Sequence, residues 1–240
     1  MITRRTFLTS AGLGLTNLTL GINPLSALVE ADSSGGLSTA FHDMEKRCGG
    51  RLGVGMLDIH TGIFVGHRAN ERFPMCSTFK VLAAGALLKH VDQGHENLSR
   101  RIRFNAADLQ TYSPVTKSHA GGEGMTLSEI CQAALQYSDN TAANILLAQI
   151  GGPAGLTRYA RSLGDTNTRL DRTEPSLNEA TPGDPRDTTI PEAMLLDLKF
   201  LLLGDALSPA SRDRLIAWMK GNKTGDKRLR ASLKNKPKIA

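Results

Sequence analysis

The apolar positions change period several times along the chain. Residues 37–47 (LSTAFHDMEKR) place Leu37, Phe41 and Met44 on one stripe of a helix, and the following RLGVGMLD, HTG and IFVGHR read as strand, turn and strand. From Ser77 to Gly155 the pattern is mostly helical, with stops at Gly94, at Gly121-Gly122 and at Gly151-Gly152. Two further helices are predicted near Pro191 and near Ser208-Pro209, each with proline close to its first turn. Between the helical stretch and these two helices, residues 172–187 (RTEPSLNEATPGDPRD) carry three prolines and no periodicity, which marks a functional or Ω-type loop. Arg172 and Asp187 stand at its ends, where an ion pair closes the loop unless they are two unrelated surface charges.

One helix contains a residue that does not belong to its pattern. In STFKVLAAGALLKH, residues 77–90, apolar side chains occupy every face, so the helix is expected to be buried all round, yet Lys80 lies in its first turn. Ser77 is predicted as the first residue, its oxygen satisfying free amides, with Lys80 three positions on and on the same side. Burial disfavours the ammonium and lowers its pKa, which makes a proton acceptor beside a hydroxyl. The pair then reads as an activated nucleophile. A capping serine with a lysine snorkelling to the surface fits the same four residues.

Composition narrows the class. A chain of 240 residues with 40% hydrophobic content is globular, with core enough for one large domain or two closely packed lobes. Its first residues, MITRRTFLTSAGLGLTNLTLGINPLSALVEA, resemble a twin-arginine export signal cleaved near Ala31, so a periplasmic or secreted mature protein without a membrane segment is expected. The net charge of +6 is spread along the chain apart from residues 223–238, which favours solubility over nucleic-acid binding. Three cysteines, Cys48, Cys76 and Cys131, are an odd number for an exported chain, so at least one lacks an internal partner. The six histidines show no HExxH or Cys/His ligand spacing, and no metal site is predicted.

Two more stretches add chemistry. YSDNTAANILLAQIGG, residues 137–152, opens an apolar helix with Ser138, Asp139 and Asn140, which capping alone explains and which also supplies a second hydroxyl and an amide. The prolyl loop adds Glu174 and Asn178, a carboxylate and an amide four positions apart that are suited to holding a water between them; a carboxylate so placed is a general base.

With STFK (77–80), YSPVT (112–116), SDN (138–140), RTEPSLNEA (172–180) and RDTT (186–189), the chain resembles the class A serine β-lactamases from about Leu37 to Leu233. The resemblance implies an α/β fold in which an antiparallel sheet flanked by helices lies beside an all-helical lobe at about 77–190, within a catalytic domain of 32–240, with the cleft between the lobes. It implies that Ser77 attacks the lactam carbonyl, that Lys80 and Glu174 handle protons, and that Ser138 relays one to the leaving nitrogen. Asn140 and Asn178 orient substrate and water, Tyr112 lines the cleft mouth, and a monomer without a cofactor is expected. Without Glu174, such a site acylates and stalls, as penicillin-binding proteins do.

The family's third motif, Lys-Thr-Gly on a strand, invites assignment to Lys223-Thr224-Gly225. Those residues follow a helix-ending KGN, and the charged DKRLR after them lacks strand alternation, so a turn is expected there and the motif is expected past Ala240. On that reading the strand with the carboxylate-binding lysine and one oxyanion-hole amide, and the last helix, are missing from these residues. Cys76 before the nucleophile resembles the carbapenem-hydrolysing branch, with its partner beyond the third motif, and Cys131 is expected to be a buried free thiol. The competing readings are a β-lactam sensor acylated without turnover, an inactive fragment, a peptidoglycan DD-peptidase and a glutaminase of the same fold; the loop carrying Glu174 favours the lactamase.

Overall fold

The computed structural model describes residues 35–226 and Arg230; the export segment expected at 1–31 lies outside them. Helix α1 (Gly35–Cys48) leads into the hairpin β1 (Val54–Leu57) and β2 (Phe64–His67), paired antiparallel from Val54 opposite His67 to Leu57 opposite Phe64. Of the expected stripe on α1, Phe41 is buried, while Leu37 and Met44 are exposed; among the described residues α1 packs chiefly on β2. Polar ties complete the seating: Glu45 accepts from the Leu52 amide at 2.8 Å and from Arg68 Nε at 2.7 Å.

Strand β3 (Phe73–Pro74) precedes a 3-10 turn at Cys76–Thr78 and helix α2 (Phe79–Asp92). Helix α2 is the axis of the core. Phe79, Leu82, Ala83, Ala84, Leu87 and Leu88 are fully buried on it, against α3 (Leu127–Tyr137), α4 (Asn140–Gln149), α5 (Gly152–Ser162) and, after the prolyl loop, α7 (Pro209–Lys220). Full burial of each large apolar side chain contributes about 1.5–3 kcal/mol, which is why no face of α2 is left polar.

The helix begins two residues later than its pattern suggested. Cys76 turns the chain with φ of 44°, and Thr78 bonds back to the Met75 carbonyl through its amide at 3.0 Å and its hydroxyl at 2.7 Å. Ser77 therefore does not cap α2, and its hydroxyl is left to face Lys80.

Residues 93–124 also depart from the helical expectation. They hold the short strand β4 (Arg101–Ile102), paired with β5 (Met125–Thr126), and 3-10 turns at Ala106–Asp108 and Thr116–His119. Local side-chain bonds win here: Asn97 accepts from the Ser99 amide, and Asn105 and Asp108 cap one another's backbone. Helix α3 then starts on a capping box between Thr126 and Glu129.

The loop from Arg172 returns through β6 (Thr188–Thr189), which pairs with β3, into α6 (Pro191–Leu202). Both predicted prolyl starts are found, and Ser208 caps α7 through the Ser211 amide. Lys223-Thr224-Gly225 lies in a turn after α7, as expected. Among the described residues, three two-stranded ladders lie beside a helical core, in agreement with the expected fold.

Candidate active site

Four side chains from three segments converge on one buried amine. Lys80, 2% exposed on the first turn of α2, has its Nζ 3.1 Å from Ser77 Oγ, 3.1 Å from Ser138 Oγ, 2.8 Å from the Ser138 carbonyl and 2.8 Å from Asn140 Oδ1. Glu174 Oε1 stands 3.1 Å away on the other side. That approach is a charge contact rather than an aligned hydrogen bond, since Oε1 accepts none among the described residues. Ser138 Oγ in turn donates to Ser77 Oγ at 2.9 Å, so the two hydroxyls and the amine form a closed triangle.

Each corner is held by local chemistry. Ser138 sits between α3 and α4 in the left-handed region at φ 59°, which points its hydroxyl back toward α2. The adjacent Asp139 is wholly buried and caps α4 through the Ala142 amide at 2.9 Å. Its carboxylate also accepts from the amides of Val115 and Thr116, at 3.0 and 2.9 Å, and from the Thr116 hydroxyl, tying the 112–116 segment to the serine. This explains how Tyr112, half-exposed at the cleft rim, is brought beside Ser138: the Asn140 amide donates to the Tyr112 carbonyl at 2.8 Å.

Glu174 reaches the site from the prolyl loop, 2% exposed and joined to Pro175 by a cis peptide bond. Asn178 donates directly to Glu174 Oε2 at 2.5 Å, because the 3-10 turn Ser176–Asn178 folds its amide over the carboxylate. At the loop's ends Arg172 Nε donates to Asp187 Oδ2 at 2.5 Å, and Asp187 Oδ1 takes the amides of Asp171 and Arg172. Arg172 also binds Glu179 across the loop.

Sequence reasoning missed Asn144. One turn beyond Asn140 on α4, its side chain clamps the backbone of Glu174 from both sides, accepting from the amide and donating to the carbonyl, each at 2.9 Å. The available signal was a second amide at i+4 in an otherwise apolar helix.

The electrostatics follow from burial. Desolvation lowers the pKa of Lys80, and the charges of Glu174 and Asp139 only partly restore it. The Cys76 thiol is pushed up, by burial first and by the Glu174 charge second. The cleft in front of these groups measures about 910 Å³ and is lined by Ser77, Lys80, Ser138, Tyr112, Tyr137 and Lys223. A shielded hydroxyl touching an amine of lowered basicity, with a second hydroxyl and a carboxylate at hand, is equipped for nucleophilic attack and proton relay.

Comparison with known proteins places the chain. Residues 36–240 match the model of the beta-lactamase enzyme family. Beta-lactamase OXY-2 of Klebsiella oxytoca is 51% identical over 191 residues, covering 80% of this chain and 66% of the relative. Beta-lactamase Toho-1 of Escherichia coli is 52% identical over 190 residues, covering 79% of this chain and 65% of the relative. The chain thus spans slightly less than two thirds of the length of these relatives. An ancestral (GNCA) class A beta-lactamase superposes with a TM-score of 0.82 at 61% identity, over 83% of this chain and 76% of that one. The chain belongs to the beta-lactamase enzyme family and has the class A fold.

Proposed function

We propose that the chain hydrolyses the β-lactam ring of penicillin- and cephalosporin-type antibiotics through an acyl-enzyme on Ser77, and so confers resistance to them. One observation carries this reading: Lys80 Nζ lies 3.1 Å from both Ser77 Oγ and Ser138 Oγ and 3.1 Å from Glu174 Oε1. Ser77 Oγ attacks the lactam carbonyl carbon while its proton passes to Lys80, the amine in direct contact with it. The carbon–nitrogen bond breaks, and Ser138 delivers a proton to the departing nitrogen. Water then attacks the ester, losing its proton to Glu174, and Ser77 is released. A positioned general base contributes about 10² to 10⁴-fold, which separates turnover from trapping. Asn140 and Asn178 orient substrate and water, and Tyr112 borders the entrance.

Residues 32–240 belong to the catalytic domain in this account, with the helical lobe at about 77–190. The mature chain acts as an exported monomer on a small molecule, with no nucleic-acid or membrane partner; the Arg4-Arg5 segment supports the export. Cys76, immediately before Ser77, supports placement in the carbapenem-hydrolysing branch, a placement refuted if the protein cleaves other β-lactams and leaves imipenem intact. The parent reading is tested by mixing the purified chain with nitrocefin and following colour and intact mass together. Colour with a transient adduct is expected; neither colour nor adduct would overturn it.

A further inference from the structure

Three consecutive residues tie the rim of the cleft to the start of α4. Asp139 accepts from the amides of Val115 and Thr116, and the Asn140 amide donates to the Tyr112 carbonyl. The third is Thr141, the second residue of α4, whose side chain belongs to a residue only 1% exposed. Its Oγ1 accepts from the Gln110 amide at 2.7 Å and lies 2.6 Å from Ser113 Oγ. Ser113 Oγ in turn donates to the Gln110 carbonyl at 2.9 Å. That bond uses the one proton of the Ser113 hydroxyl, so Thr141 is the donor to Ser113 Oγ. The Thr141 hydroxyl therefore accepts from residue 110 and donates to residue 113, bridging the two ends of the turn that carries Tyr112.

A threonine in such a place has a plainer use, which is to fill space, but valine has the same shape and carries no hydroxyl to satisfy. Burying a hydroxyl is costly unless it is bonded, and in the first turn of α4 no carbonyl of that helix lies one turn back to receive it. The hydroxyl is instead spent on the rim. Tyr112 needs such a hold, because its ring is half-exposed at the cleft mouth and its position is set mainly by the backbone beneath it. The bonds of the Thr141 hydroxyl go to Gln110 and Ser113, and among the described residues none reaches Ser77, Lys80, Ser138 or Glu174. In this it differs from Asp139, which adjoins Ser138 in the chain and cannot be changed without disturbing it.

We propose that Thr141 is a positioning residue for the β-lactam hydrolysis assigned to this site: by holding Gln110 and Ser113 it keeps the Tyr112 wall in place before substrate arrives, and so acts on substrate binding rather than on bond breaking. The inference rests on that reading of the site. A wall already in place spares the cost of ordering it during binding. Loosening it therefore raises KM, whereas losing a contact made only in the transition state lowers kcat.

The test uses Thr141→Val, which keeps the shape and removes the hydroxyl, and Thr141→Ser, which keeps the hydroxyl. A lost bond that leaves its buried partners unpaired shifts the ordered rim by about tenfold, so KM for benzylpenicillin is expected to rise about tenfold in Thr141→Val, with kcat within about twofold of the parent. Thr141→Ser should restore KM. Hydrogen exchange followed by NMR reads the rim on the protein alone. The amides of Gln110 and Asn140, held by Thr141 and by the Tyr112 carbonyl, should both exchange about tenfold faster in Thr141→Val. Ser113→Ala opens the same turn from the rim side and should give the same pattern, which keeps the test decisive if Thr141→Val folds poorly. An unchanged KM, a loss carried by kcat, a KM that Thr141→Ser does not restore, or an Asn140 amide that stays protected would overturn the proposal. A parent chain that does not turn over benzylpenicillin overturns the reading of the site instead, and the exchange rates then decide whether Thr141 holds the rim.

Discussion

Replacing Asn144 with alanine removes both clamps on the backbone of Glu174 while leaving every proposed reacting side chain in place. The two lost bonds, each 2.9 Å, strand an amide and a carbonyl of a residue that is 2% exposed. Leaving a buried polar group unsatisfied costs about 1–3 kcal/mol, so the loop loses about 2–6 kcal/mol of anchoring. Ser77, Lys80 and Ser138 do not depend on these bonds, whereas Glu174 does. Acylation is therefore expected to slow little, and deacylation by as much as the general-base factor of about 10² to 10⁴. Rapid-quench mass spectrometry with a penicillin separates the steps, and a thermal melt reads the anchoring. A lower melting temperature with an unchanged deacylation rate would refute the claim that Asn144 positions Glu174.

Other perturbations reach different parts of the structure. In Gly155→Ala the new Cβ would fall 1.8 Å from the Ile150 carbonyl oxygen, so α5 must shift and a loss of about 1–3 kcal/mol is expected in denaturant melts; an unchanged midpoint would contradict the packing described. Glu45 is held at about 2, chiefly by the Arg68 guanidinium and then by the Leu52 amide. A depressed carboxylate contributes stability above its unfolded value of about 4.5 that is lost as pH falls toward 2, so Glu45→Gln should flatten the acid limb of the stability curve between those values. Cys48 and Cys76 are exposed and Cys131 is buried, all three unpaired, so a thiol reagent should label two sites in the native chain and the third only on unfolding. Cys76 should react more slowly than its exposure suggests, because burial and Glu174 raise its pKa.

Much of this was legible from pattern. The all-round apolar run around Lys80 announced a buried helix and hence an amine of lowered basicity, and the prolines at 191 and 209 marked two helix starts. What the sequence hid was set by local competition and by distant contacts. Ser77 looked like a cap, but the backbone turn at Cys76 and the Thr78 bonds to Met75 moved the helix start to Phe79. Residues 93–124 looked helical in places, yet short asparagine and aspartate bonds satisfied the backbone first. Asn144 joins Glu174 across 30 residues of chain, where no periodicity signals a partner.

The central claim, that Ser77 is acylated and Glu174 releases it, is tested most directly in Glu174→Ala. The variant is mixed with a penicillin, and the trapped species is measured by intact mass and mapped by peptide digestion. The account predicts a long-lived adduct of the full mass of the antibiotic on the peptide carrying Ser77. An adduct on another residue, or turnover as fast as in the parent chain, would contradict it.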